Sequence, residues 1–153
     1  MKKIIILASG RGSNAEAIYK KSAEYGYEIA AIVSDQSEAL VLQKAKIWDI
    51  PTVLVTKEKQ ESRESHEEKI LLELKNYKFD LVILAGYERL LSADFLSAFA
   101  PKSIINIHPS LLPEYPGMNS YGKAYNNKAA KNGITIHYVD QGMDTGEIIA
   151  QFS

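Results

Sequence analysis

Lys3-Ile4-Ile5-Ile6-Leu7-Ala8-Ser9-Gly10-Arg11-Gly12-Ser13-Asn14-Ala15-Glu16 is the stretch whose reading decides the fold. Its first six residues form a continuous apolar run, the pattern of a strand buried on both faces of a parallel sheet. Two glycines then break the run. Ser13 and Glu16 follow at capping-box spacing, with Ser13 as N-cap and Glu16 reaching back, which predicts a helix to about Tyr25. A buried strand that turns through glycines into a helix is the opening unit of an α/β fold.

The rest of the chain repeats that alternation. Residues 28–34 read as a second strand, and a helix from about Ser37 sets Val41, Ala45 and Trp48 on one face. Residues 51–55 form a short third strand. A charged helix over 61–78 buries Ile70, Leu74 and Tyr77. A strand at 80–85, a short helix at 91–99 and a fifth strand at 103–107 come next. A loop holding Pro109, Pro113 and Pro116 leads through a weak helix at 121–130. It reaches an alternating strand at 134–139 and a last strand at 147–152. Right-handed crossovers then imply a doubly wound, mostly parallel sheet. Ligands of such sheets bind beyond the carboxyl ends of the strands. Three segments leave strands there with unusual chemistry: 9–14, 86–90 and 106–110.

Composition narrows the function. A length of 153 residues fits one domain over 1–153. Eighteen basic residues against nineteen acidic ones, with no long basic run, offer nothing to a nucleic-acid backbone. Cysteine is absent, which removes disulfides and thiolate chemistry together. The apolar run near the N-terminus is too short for a signal peptide, and nothing approaches the ~20 apolar residues of a membrane span. A soluble cytoplasmic protein acting on small molecules is expected.

Three motifs carry chemistry, each beside a plainer alternative. Gly10-Arg11-Gly12-Ser13-Asn14-Ala15 lets backbone approach a ligand at a helix N-terminus, which suits a phosphate; the plain reading is a glycine turn. The same loop fits a loose dinucleotide pattern, with Gly10, Gly12 and Asp35 serving a nicotinamide cofactor. In Asn106-Ile107-His108-Pro109-Ser110, residues two apart share a face, so an amide and an imidazole can serve one oxyanion. The alternative is a polar strand end that satisfies loop backbone. Asp144, in Gly142-Met143-Asp144-Thr145-Gly146, is either a turn former or a carboxylate that favours the imidazolium form of His108, with burial opposing it. His137 reads as structural, His66 as solvated on a charged helix face, and Arg63 as a surface charge or a bidentate carboxylate binder. No spacing supports a metal site.

Together these residues resemble the folate-dependent glycinamide ribonucleotide formyltransferase family, from the first strand to the end of the chain. The resemblance rests on Ser9 through Asn14, on Leu84-Ala85-Gly86-Tyr87-Glu88-Arg89-Leu90-Leu91, on Asn106 through Pro113, and on Asp140 through Gly146. It implies a Rossmann-like formyltransferase fold, shortened at the C-terminus, and 10-formyltetrahydrofolate as donor, with no metal. It implies Asn106, His108 and Asp144 as catalytic residues and Gly12, Ser13 and Asn14 as holders of the acceptor's phosphate. Arg63 would bind the folate glutamate tail. Arg89, Leu90 and Leu91 would line the pterin pocket, with Val139 and Asp140 on its other side.

Two departures qualify that resemblance. Asn119 and Tyr121 stand where many members carry histidines. The sequence stops at Ser153, where relatives continue with a strand and a helix; an open edge there would favour a homo-oligomer. The competing readings are a non-catalytic nucleotide- or folate-binding domain and a nicotinamide-binding fragment.

Overall fold

The computed structural model describes residues 1–108, 134–139 and 148–152. Seven strands form one sheet in the order β3-β2-β1-β4-β5-β6-β7. They are β1 (Lys2–Leu7), β2 (Tyr27–Ser34), β3 (Thr52–Leu54), β4 (Leu81–Leu84), β5 (Ile104–His108), β6 (Ile134–Tyr138) and β7 (Ile148–Phe152). The first five run parallel, whereas β6 is antiparallel to both β5 and β7. The helices are α1 (Ser13–Lys20), α2 (Ser22–Tyr25), α3 (Leu40–Ile47), α4 (Arg63–Leu74) and α5 (Ala93–Ser97).

The apolar run of β1 explains why the sheet is covered twice. Ile4, Ile6 and Ala8 face one way, packing with Ala15 of α1 and with Val41, Leu42 and Ala45 of α3. Ile5 and Leu7 face the other way, against Ile70 and Leu74 of α4 and Phe95 of α5. This two-residue period splits a single strand between two cores. Tyr19 and Trp48 stack with centroids 4.5 Å apart, tying α1 to the end of α3.

Several expected boundaries move. The capping box at Ser13 and Glu16 does not form: Gly12 is the N-cap, left-handed at φ 77°, and no side chain caps the helix. The helix opens one residue earlier than expected because glycine adopts that conformation freely. The Glu16 carboxylate instead pairs with Lys20 at 3.5 Å and Lys44 at 3.7 Å. The continuous helix expected to Tyr25 breaks at Lys21, where the Ser22 hydroxyl donates to the Tyr19 carbonyl at 2.7 Å. A side chain there competes for a helical acceptor.

His66 is a clearer correction. It was expected in solvent but is 1% exposed, and its Nε2 lies 2.7 Å from the Val55 carbonyl oxygen. His66, Ile70 and Leu74 follow one another at i, i+4, i+8, so the histidine belongs to the buried stripe of α4. The helix expected at 91–99 shortens to α5, with Ser92 as N-cap accepting from the Phe95 N–H at 3.1 Å. Residues 89–91 are thereby left as an ordered loop in front of α5. At the far side of the sheet, β7 presents half-exposed Ile148 and Ile149.

Candidate active site

Parallel strands deliver their following loops to one edge of the sheet, and several of the sequence-predicted residues lie along it, whereas Val139 sits beside Ile104 at the amino end of β5. Gly10 and Gly12 follow β1, Arg63 opens α4 beyond β3, residues 86–91 follow β4, and Asn106 and His108 end β5.

Asn106 is the best-defined of the candidate side chains. It lies opposite His137 in the antiparallel register of β5 and β6, with Nδ2 3.3 Å from His137 Nε2. His137 is 1% exposed, and its Nδ1 sits 2.9 Å from the Tyr138 carbonyl oxygen. A carbonyl only accepts, so Nδ1 carries the hydrogen of that bond, and Nε2 of the neutral ring offers its lone pair to the amide. The buried imidazole thus helps to orient the Asn106 amide. Thr135, on the same face of β6, is also buried and accepts from Gln151 Nε2 of β7 at 2.9 Å. Polar side chains buried in a strand are costly unless bonded, and this row is bonded across three strands. His137, expected to be structural, is buried and in contact with the candidate residue Asn106. The signal was there in the alternation of Ile134-Thr135-Ile136-His137-Tyr138, which puts Thr135 and His137 on one face.

His108 is the last residue of β5, in register with Thr135. The expectation that its ring and the Asn106 amide aim at one spot concerns a side chain outside the described part of the structure. Asp140, Asp144, Asn119 and Tyr121 lie outside the described residues as well.

Gly12 is buried, and a Cβ there would fall 2.4 Å from Val41 Cγ2, while Gly10 is exposed with open space around its Cα. Gly12 is therefore required by packing and by its positive φ, not only by ligand approach. Ser13 is exposed and Asn14 half-buried at the start of α1. Gly10 carries the backbone acceptor for the Val41 N–H at 3.1 Å, which fixes the loop against α3.

The donor-side residues fall into two groups. Arg89 donates from Nε to Asp35 Oδ2 at 2.6 Å, and Asp35 Oδ1 accepts from the Ser9 hydroxyl at 2.7 Å. Gln36 Nε2 adds a third donor at 3.1 Å. Asp35 is 4% exposed and fully engaged, so the nicotinamide reading loses its ribose ligand. Tyr87 packs nearby; burial, and then the Asp35 charge, push its hydroxyl above the ordinary value of 10.0. Leu90 is half-exposed, while Leu91 packs on the same core cluster as Val139. Val139 lines a cavity of about 220 Å³ beneath α5, with Ala93, Leu96, Phe99 and Ile104. Arg63 is half-exposed, 3.8 Å from Glu64. A larger groove of about 600 Å³, between α4 and α5, adjoins the cavity beneath α5, sharing Phe99, Ala100 and Ser103 with it, and includes none of the predicted site residues.

Sequence reasoning missed Glu67. Buried on α4, it accepts from the backbone N–H of Ser92 at 2.9 Å and from the Ser92 hydroxyl, holding the far end of the 86–92 segment. Among the described residues, no group of three metal-ligating side chains assembles and no helix is long and apolar enough to cross a membrane.

The fold and this edge define a one-carbon transferase class, and the comparisons agree: the formyl transferase family profile matches residues 2–153, so the chain belongs to that family. Within it, the chain is 42% identical over 153 residues to the phosphoribosylglycinamide formyltransferase of Bacillus subtilis (strain 168), covering 99% of this chain and 78% of that protein. The Escherichia coli (strain K12) protein of the same name is 35% identical over 150 residues, covering 97% and 70%. The crystal structure of the Bacillus halodurans phosphoribosylglycinamide formyltransferase superposes with a TM-score of 0.92 at 40% identity, covering 99% of this chain and 78% of that one. The family uses a folate-derived formyl donor.

Proposed function

We propose that this chain transfers the formyl group of 10-formyltetrahydrofolate to the amine of glycinamide ribonucleotide. The observation that carries the reading is the Asn106 amide, in contact with buried His137 near the carboxyl end of β5, the edge at which the glycine loop and the 86–91 segment also leave their strands. The amine nitrogen attacks the formyl carbon, and the carbonyl oxygen becomes an oxyanion. An amide nitrogen has two N–H groups. The Asn106 amide, oriented by its contact with His137, is assigned to the oxyanion, where preorganised donors act most strongly. His108 serves as the acid. As the bond from the formyl carbon to the folate nitrogen breaks, His108 gives its proton to that nitrogen and regains the one lost by the amine, with Asp144 favouring its imidazolium form.

The same reading gives the acceptor's phosphate to Gly12, Ser13 and Asn14, at the positive end of α1. The cavity beside Leu96, Phe99, Ile104 and Val139 is apolar and suits a flat ring rather than a whole co-substrate. Arg63, at the start of α4, suits the glutamate carboxylate of the donor, and Arg89, Leu90, Leu91, Val139 and Asp140 are assigned to the donor's ring. A mass-spectrometric assay for formylated ribonucleotide, with both substrates supplied, tests the reaction. Product is expected only when both are present. Stabilisation by NAD, with no response to tetrahydrofolate or glycinamide ribonucleotide, would instead support the nicotinamide alternative.

A further inference from the structure

The loops after β1 and β4 are tied to each other, and their ties converge on Asp35 at the end of β2. Ser9 N–H donates to the Gly86 carbonyl at 3.1 Å, and the Ser9 hydroxyl accepts from the Glu88 N–H at 3.0 Å. That hydroxyl has one hydrogen, and it goes to Asp35. Asp35 therefore orients Ser9 so that its lone pair faces Glu88, while its other oxygen holds Arg89. Gly10 is anchored to Val41, in the helix that follows Asp35.

We propose that Asp35 is a positioning residue that fixes the glycine loop and the 86–91 segment at one spacing, so that filling either substrate site organises the other. The proposal rests on the functional reading above for which substrate each loop serves. Its mechanical part rests on the hydrogen bonds alone. A carboxylate accepts on both oxygens, and both neighbours here donate. An asparagine would turn its NH2 either toward Arg89, donor against donor, or toward Ser9, whose hydroxyl would then have to accept from it as well as from Glu88 and send its own hydrogen elsewhere, so the bonding that ties the two loops is lost or weakened. A carboxylate that served stability alone would not alter how one substrate's KM depends on the other.

Glu67 provides the control. It holds Ser92, at the far end of the donor segment, and among the described residues its hydrogen bonds do not reach the glycine loop.

The experiment combines amide hydrogen exchange on the ligand-free protein with KM for each substrate at several fixed levels of the other, for wild type, Asp35→Asn and Glu67→Gln. In Asp35→Asn, exchange at the Ser9 and Glu88 amides should quicken by roughly tenfold or more, while the core amides of Ile32 and Val82 stay as in wild type. Both KM values should rise by roughly tenfold, the mutual dependence of the two should vanish, and kcat should fall less. Glu67→Gln should raise the KM of the folate alone. If Asp35→Asn does not fold, Ser9→Ala removes the shared hydroxyl and leaves the Asp35–Arg89 pair, and the Glu88 amide should respond in the same way. Unchanged exchange at Ser9 and Glu88, or a rise in the folate KM alone, would overturn the proposal. Exchange that responds as stated in a protein that transfers no formyl would defeat the functional reading and leave the loop linkage standing.

Discussion

β1 and β6 are interior strands of one sheet, yet they are built on opposite rules. β1 buries Ile4, Ile5, Ile6 and Leu7, half toward each helical layer, and no polar side chain interrupts it. β6 buries Thr135 and His137, and these bond to Gln151 and Asn106 on the strands either side. The parallel half is assembled by the hydrophobic effect, which is insensitive to direction. The antiparallel half depends on directed bonds between buried groups, which orient side chains but are costly when incomplete. The first half places the site, and the second shapes its chemistry. Substitutions should therefore separate. Changes in the β1 region should act on stability, with turnover following the folded fraction, and changes in the β5–β6 region should act on turnover first.

The largest effect is expected at His108. His108→Ala should lower kcat by ~10²–10⁴, the usual contribution of a positioned acid, with a melting temperature close to wild type. Steady-state kinetics beside a thermal scan check this, and a loss of stability in proportion to the loss of rate would break the separation.

Gly12→Ala probes the other half. The added Cβ meets Val41 at 2.4 Å on a residue with φ 77°. Overpacking and the left-handed backbone together should cost about 2–5 kcal/mol, a large share of an ordinary domain's stability. Denaturant melts measure it. Retained stability with lost acceptor binding would restore the simpler expectation that Gly12 serves only the phosphate.

His137 lies on the boundary of the comparison. His137→Phe keeps a ring in the buried space but removes the partner of the Asn106 amide. It should lower kcat by roughly tenfold to a hundredfold through misorientation, with a smaller change in folate affinity measured by titration. An unchanged kcat would show that Asn106 is held by other contacts.

How much of this was legible follows the same division. Continuous apolar runs at 3–8 and 80–85 gave β1 and β4 nearly to the residue, because burial on both faces leaves little choice of residue type. The start of α1 was misplaced because a capping box and a left-handed glycine cap compete in Gly12-Ser13-Asn14-Ala15-Glu16, and only the backbone shows which wins. His66 was readable in principle, four residues ahead of Ile70 on the same stripe, but its polarity masked it. Asp35 and Arg89 are 54 residues apart, and no local spacing announces that pair. Asn106 was visible through its motif. Its partner, 31 residues later, emerges only when β5 and β6 pair.

The smallest expected effect lies where the two halves meet. Tyr87 is held protonated beyond its ordinary value by burial and by the Asp35 charge. A raised value means that folded and unfolded forms bind the proton alike below pH 10, and that the unfolded form alone releases it above. Stability should therefore fall as pH rises past 10, and Tyr87→Phe should soften that fall while changing little at pH 7. Melting temperatures from pH 8 to 11.5 provide the check; identical alkaline profiles would remove Tyr87 from the account.

The most direct test is the rate of formyl transfer from 10-formyltetrahydrofolate to glycinamide ribonucleotide by Asn106→Ala at saturating concentrations of both, measured beside its affinity for tetrahydrofolate. An oxyanion donor acts in the transition state more than in the ground state. The rate should therefore fall by ~10²–10³ while tetrahydrofolate affinity stays within a few-fold of wild type. A near-normal rate, or a loss confined to folate binding, would contradict the role given to Asn106 and with it the reading of this edge as the active site.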